Sequence, residues 1–177
     1  MKKQDNGNKR LVHYYHLSNY VAVNQGIIAE FRQQEEADCC RKTHYFNGRY
    51  ENIYIPEDAI PAIKPVLAAA RKHACELLGM TDFLSLGFWF NLMKPGHTTT
   101  RHRHDDDDEL LSAVYYIRAE INSGDLVIYH NENKMRVAPK EGRVVFFKPD
   151  IEHEVLENQS ASVRLSVGMN FGVKASV

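Results

Sequence analysis

The alternation of apolar and polar residues changes period near the middle of the chain. In the first half Val21, Ile27, Ile28 and Phe31 recur at helical spacing. Ser18 or Asn19 can cap that stretch, so the pattern predicts a helix from about residue 18 to Cys39. A second helix should begin between Ala62 and Pro65, where proline is tolerated in a first turn, and run through VLAAARKHACELL to a stop at Gly79. LVHYYHL, residues 11–17, reads as a short aromatic strand, and HYFNGRYENIYIPED, residues 44–58, as an irregular aromatic-rich connection. From Phe83 onward the pattern becomes short β-branched and aromatic runs: FLSLGFWFNLM, LLSAVYYI, DLVIY, MRVA, RVVFFK and SVRLSVGMNF. The turn signals KPG, NSGD, NENK and PKEG separate them. Short strands so punctuated predict an α+β, mainly β chain, an antiparallel barrel or sandwich with the two helices packed outside.

Size and charge narrow the options. At 177 residues the chain suits a single domain. No repeat or low-complexity linker divides it, so the expected organisation is a flexible tail over 1–10 and one domain over 11–177. Within that domain, helical support occupies about 18–79 and the barrel about 83–172. Lys plus Arg number 22 against 23 Asp plus Glu, a net charge of −1, which argues against binding nucleic acid through a general positive field. No apolar run approaches the roughly 20 residues of a bilayer span. MKKQDNGNKR lacks the apolar stretch of a secretory signal. The three cysteines, Cys39, Cys40 and Cys75, are odd in number and make a poor disulfide framework, which fits a reducing cytoplasm.

Nine histidines change the picture, because of where some of them fall. In GHTTTRHRHDDDDELLSAVYYI, His102, His104 and Asp106 alternate, so an extended backbone would turn all three to one face. Past several strands comes His153, in KPDIEHEV. Imidazoles plus one carboxylate suit a non-haem Fe(II) centre with an open coordination face. Eleven residues further on, Arg164 and Ser166 share a strand face, and a guanidinium fork beside a hydroxyl suits a carboxylate. Each piece has a plainer explanation: the HRHDDDDE run as a solvated turn, His153 as a surface histidine, RxS as the polar side of a strand. Their joint order is harder to dismiss.

In that order the chain resembles the Fe(II)- and 2-oxoglutarate-dependent oxygenases, especially those similar to prolyl hydroxylases. The blocks that carry the resemblance lie between residues 91 and 171: NLMKPG, HRHDDD, LSAVYYI, NSGDLVIY, VAPKEGRVVFFKPDIEHEV and VRLSVGMNF. It implies a double-stranded β-helix, or jelly roll, with Fe(II) and 2-oxoglutarate as cofactors and ascorbate as a candidate reductant. By the same resemblance His153 is the distal iron ligand, and Arg164 and Ser166 bind the far carboxylate of 2-oxoglutarate. Tyr116 is a further donor to that carboxylate, and Leu126 an apolar wall of the co-substrate pocket. The proximal pair stays open. Counting six positions from Gly96 gives His102 and His104; counting back from LSAVYY gives His104 and Asp106, the register that supplies an anionic ligand and toward which the reading leans. One of His102 and Asp106 is then not a ligand. The implied activity is a hydroxylation, with dioxygen and a small-molecule or peptide substrate as partners, succinate and CO2 as products, and an oligomer neither required nor excluded.

Three rivals share parts of the pattern. A cupin would use His102, His104, Glu109 and His153, as a metal enzyme or sugar-binding module, but needs no Arg164-x-Ser166. A binding protein of the same fold with a decayed site would not turn over 2-oxoglutarate. A metal-sequestering loop would bind through HRHDDDDE without His153.

Overall fold

The computed structural model describes residues 10–34, 40–81, 84–104 and 108–173. Residues 1–9 of the expected tail, the end of the first expected helix (35–39), residues 82–83, Asp106 with its neighbours 105 and 107, and residues 174–177 lie outside that description.

A short strand β1 (His13–His16) leads into helix α1 (Tyr20–Gln34), and a hairpin follows, β2 (Arg41–Phe46) and β3 (Arg49–Tyr54). Two 3-10 turns precede helix α2 (Lys64–Leu78), which ends at Gly79 in the left-handed conformation, φ 65°. The remaining strands are β4 (Leu84–Met93), β5 (Thr99–His102), β6 (Glu109–Arg118), β7 (Leu126–His130), β8 (Asn133–Val137), β9 (Arg143–Phe147), β10 (His153–Val155) and β11 (Arg164–Val173). They form a seven-stranded sheet in the order β1-β9-β6-β11-β4-β3-β2 and a four-stranded sheet in the order β5-β10-β7-β8, with every recorded pairing antiparallel. This is the double-stranded β-helix with supporting N-terminal helices.

Two-residue alternation on the large sheet decides what faces the helices and what faces the interior. On β11, Leu165, Val167, Met169 and Phe171 join Ile27 and Phe31 of α1 and Val66, Leu67, Ala70 and Ala74 of α2 in one apolar core. Arg164, Ser166, Gly168 and Asn170 take the opposite face. On β6, Tyr115 turns toward α1 and Tyr116 away from it, into a second core with Leu126, Ile128, Val145 and Phe147 between the sheets. Asn24 fixes α1 to the C-terminal part of β6: its amide donates to the Ile117 carbonyl at 2.6 Å, and its side-chain oxygen accepts from the Tyr115 hydroxyl at 2.6 Å. Asn24 is buried, so these bonds satisfy groups that would otherwise cost about 1–3 kcal/mol each.

One expectation is corrected. The segment 44–58 is not an irregular connection: residues 41–54 form the β2–β3 hairpin, which extends the large sheet. Its turn is Asn47–Gly48, with φ of 48° and 79°, the two positive angles of a type I′ turn that Asn-Gly favours. The short strands β5 and β10 were also absent from the run pattern, being only four and three residues long.

Candidate metal and co-substrate site

The pairing of two short strands builds the centre of the site. On β5 and β10, His102 and His153 stand directly opposite one another, with ring centroids 4.3 Å apart. His104 follows β5, its backbone N–H donating to the Pro149 carbonyl at 2.9 Å, which ties this segment to the turn before β10. Its ring lies 5.2 Å from that of His102 and 5.3 Å from that of His153. One ring nitrogen from each histidine falls within 4.8 Å of the others.

The protonation pattern suits metal binding. His102 Nδ1 is 2.7 Å from the Thr100 carbonyl oxygen, and His153 Nδ1 is 2.9 Å from that of Ile151. A carbonyl can only accept, so both Nδ1 atoms carry the proton and both Nε2 lone pairs are left for a metal. Burial, with help from the neighbouring His102 and His104 rings, lowers the His153 pKa to about 3, which holds it neutral, the form that ligates. His104 faces differently: Asn170 Nδ2 lies 3.2 Å from its Nδ1 and a Glu109 carboxylate oxygen 3.9 Å away, while Asn170 also bonds Glu109.

Behind this trio sits the cationic fork. Arg164 is 1% exposed and Tyr116 fully buried, the guanidinium carbon 5.2 Å from the phenol ring. Arg164 Nη1 reaches Met93 Sδ at 3.1 Å, but Arg164 Nε and the Tyr116 hydroxyl have no hydrogen-bond partner among the described residues. Burial lowers the Arg164 pKa, an effect that nearby Tyr116 and Asp125 oppose. Burial also raises the Tyr116 pKa, against the pull of the Arg164 charge. Ser166 is buried and stands in register with Tyr116 on one side and Asn91 on the other. Leu126 is buried and packs in the inner core with Tyr116. A buried cation and a phenol, each with an unmet donor, fit an anionic ligand entering from the histidine side.

The structure therefore brings His102, His104 and His153 together, and gathers Arg164, Ser166, Tyr116 and Leu126 at the inner side of the same barrel. Asp106 lies outside the described residues. Glu109, the fourth ligand of the cupin reading, is beside His104 but outside the nitrogen trio. A cavity of about 460 Å³ opens beyond the histidines, bounded by Tyr54 of the hairpin and by Trp89, Thr100 and Asn170. Sequence reasoning missed several of these. Asn170 was within reach, since it extends the Arg164, Ser166, Gly168 face by one more step of two. Arg49 and Glu51, described below, carried no signal, because the hairpin itself went unread.

Comparison with known proteins is consistent with this arrangement. Residues 88–172 match the family model of the 2OG-Fe(II) oxygenase superfamily. No curated relative matches the chain. Among solved structures, the chain is similar to a Pseudomonas putida prolyl-4-hydroxylase, with a TM-score of 0.72 at 21% identity over 94% of this chain and 95% of that one. It is similar to a Trichoplax adhaerens prolyl hydroxylase, solved with a hypoxia inducible factor peptide, at a TM-score of 0.72 and 16% identity over 93% and 84%. The carbocyclase SnoK from nogalamycin biosynthesis has a TM-score of 0.71 and 14% identity over 93% and 80%. At such identities these likenesses speak to fold alone.

Proposed function

The chain belongs to the 2OG-Fe(II) oxygenase superfamily and is an Fe(II)- and 2-oxoglutarate-dependent dioxygenase, and from that premise we propose that it hydroxylates a small molecule or an exposed peptide side chain. In this reading His102, His104 and His153 hold the iron, in place of the His104 and Asp106 pair. The carrying observation is the buried Arg164 and Tyr116, with an unmet Nε and hydroxyl, in the same barrel as the clustered His102, His104 and His153.

Iron and 2-oxoglutarate together supply oxidative decarboxylation coupled to substrate oxidation, with succinate and CO2 as products. The chain's own residues position and shield. Arg164 pairs with the far carboxylate of 2-oxoglutarate, and Ser166 and Tyr116 add neutral donors. The low local dielectric makes such charge-assisted bonds stronger than they would be in water. Leu126 and its neighbours Ile128 and Phe147 form a dry wall that keeps solvent from the co-substrate. The backbone carbonyls of Thr100 and Ile151 hold two imidazoles in the ligating tautomer. The substrate occupies the cavity between hairpin and barrel, whose 460 Å³ suits a side chain or a small metabolite. No described helix is long and apolar enough to cross a membrane. A cytoplasmic setting is the compartment that the cysteine usage supports.

Anaerobic titration of Fe(II) and 2-oxoglutarate into the apoprotein tests the site. A visible charge-transfer band should develop only with both added. Aerobic incubation with candidate substrates should then release succinate and leave the product one oxygen atom heavier. Absence of the band would sink the cofactor assignment; succinate with a cyclised or dehydrogenated product would sink the hydroxylase assignment alone.

A further inference from the structure

His102 is carried by a strand that has little to hold it. β5 is four residues long and forms the edge of the small sheet, and its pairing with β10 amounts to His153 opposite His102 and Val155 opposite Thr99, with a register irregularity between them. Its other side meets no strand. It meets two side chains of β3, which belongs to the other sheet.

Glu51 is 4% exposed, and both its oxygens are used by one residue of β5. The Thr100 backbone N–H donates to Oε1 at 2.9 Å and the Thr100 hydroxyl donates to Oε2 at 2.9 Å. Arg49, two residues earlier on the same face, lies 3.6 Å from Glu51 Oε1 and donates to the Thr98 carbonyl and the Thr99 hydroxyl. The Arg49–Glu51 pair therefore grips residues 98–100 as a neighbouring strand would, satisfying an edge N–H that would otherwise go unmet. The same Thr100 turns its carbonyl to His102 Nδ1. A path runs from the Glu51 carboxylate through the backbone of Thr100, its N–H on one side and its C=O on the other, to the imidazole proton.

We propose that Glu51 is a positioning residue of the metal centre: by clamping Thr100 it fixes the carbonyl that sets the orientation and tautomer of His102. The inference rests on the reading of the histidine trio as metal ligands. It also gives the hairpin a second role, since its strand β3 both borders the substrate cavity and holds a ligand strand in place. Glu51 reaches His102 through Thr100, and it also lines the cavity beside the histidines.

The test uses the full chain as apoprotein, with Co(II) as the probe. Glu51→Ala removes both hydrogen bonds, Glu51→Gln keeps one acceptor oxygen, and Thr100→Val keeps the carbonyl but loses the hydroxyl. Co(II) affinity is read from its visible absorption, the His102 tautomer from long-range proton–nitrogen correlation spectra of the apoprotein, and folding from thermal unfolding. Glu51→Ala should weaken Co(II) binding about 10-fold or more, the lower end of what outer partners of metal-bound histidines contribute. It should also give His102 a measurable Nε2–H population that the parent protein lacks. Glu51→Gln and Thr100→Val should fall between the parent and Glu51→Ala, and they carry the test if the alanine variant does not fold. A folded variant set with parental Co(II) affinity and a parental His102 spectrum would overturn the positioning role, even with a lowered unfolding temperature. If the parent protein itself gives no Co(II) spectrum, the metal-centre reading fails and this inference with it.

Discussion

Replacing Arg164 by Met separates two effects that an ordinary core residue would not separate. The side chain is 1% exposed, its Nε has no partner, and its closest recorded polar contact is the thioether of Met93 at 3.1 Å. In the ligand-free protein such a cation is a cost, because its desolvation is only partly compensated by Tyr116 and Asp125 nearby. A methionine of similar length should leave the unfolding free energy unchanged, or raise it by about 1 kcal/mol. In the 2-oxoglutarate complex the sign reverses. Truncating one partner of a buried, hydrogen-bonded charge pair costs about 2–5 kcal/mol, which corresponds to a Kd weakened from about 30-fold to a few thousand-fold. The assay is calorimetric titration of Ni(II)-loaded protein, which binds without turnover. 2-Oxobutanoate, which has the keto-acid end but no far carboxylate, serves as the control ligand. Arg164→Met should lose 2-oxoglutarate affinity and keep 2-oxobutanoate affinity within about threefold, a difference of under 1 kcal/mol. Equal loss of both ligands, or parental affinity for 2-oxoglutarate, would refute the assignment of Arg164 to the far carboxylate.

The remaining predictions concern the metal end and the cavity. Asp106→Ala should change Ni(II) affinity by less than about threefold, whereas His102→Ala should weaken it by at least the 10-fold typical of lost support, as calorimetry would show; the reverse order would restore the His104–Asp106 register. Gly168→Ala places a Cβ 2.5 Å from the Trp89 ring, so it should cost about 1–3 kcal/mol in chemical unfolding and shift Trp89 fluorescence, Trp89 being a wall of the cavity. The His153 pKa is held near 3 against an ordinary value of 6.5, so as pH falls through 6.5 the unfolded chain takes up a proton that the folded chain refuses. Apoprotein stability should therefore be fullest above about pH 6.5 and decline by up to about 1.4 kcal/mol per pH unit toward pH 3, with a shallower slope in His153→Asn.

What was legible in the chain and what was not follows from the range of each signal. The long runs were read correctly because a ten-residue strand such as β6 or β11 shows its alternation several times over. The helix α2 was bounded by a proline near its start and Gly79 at its end, both local rules. The hairpin was lost because Asn47–Gly48, a two-residue signal, was read as part of an aromatic loop, and losing it hid Arg49 and Glu51. The site divides in the same way. Arg164 and Ser166 stand out by a strand's period and by the family resemblance, Tyr116 by the resemblance alone, and Ser166 meets Tyr116 because β11 pairs with β6. The choice among His102, His104 and Asp106 could not come from period alone, since all three share a parity. Pairing across strands brings the first two to His153, which lies opposite His102 while His104 is tied to Pro149; Asp106 lies outside the described residues.

That division bears on how the metal end is built. The proposed triad of imidazoles carries no negative charge of its own, and two carboxylates of the described structure stand outside it. Glu109 stands 3.9 Å from His104 Nδ1, and Glu51 reaches His102 through Thr100. His104 thus has a carboxylate beside its ring, and His102 is linked to one through Thr100. Such partners raise ligand basicity and fix ring orientation. His153 has the Ile151 carbonyl in that role and is the most buried of the three, and its neutrality comes first from desolvation. The trio is therefore unequal by construction.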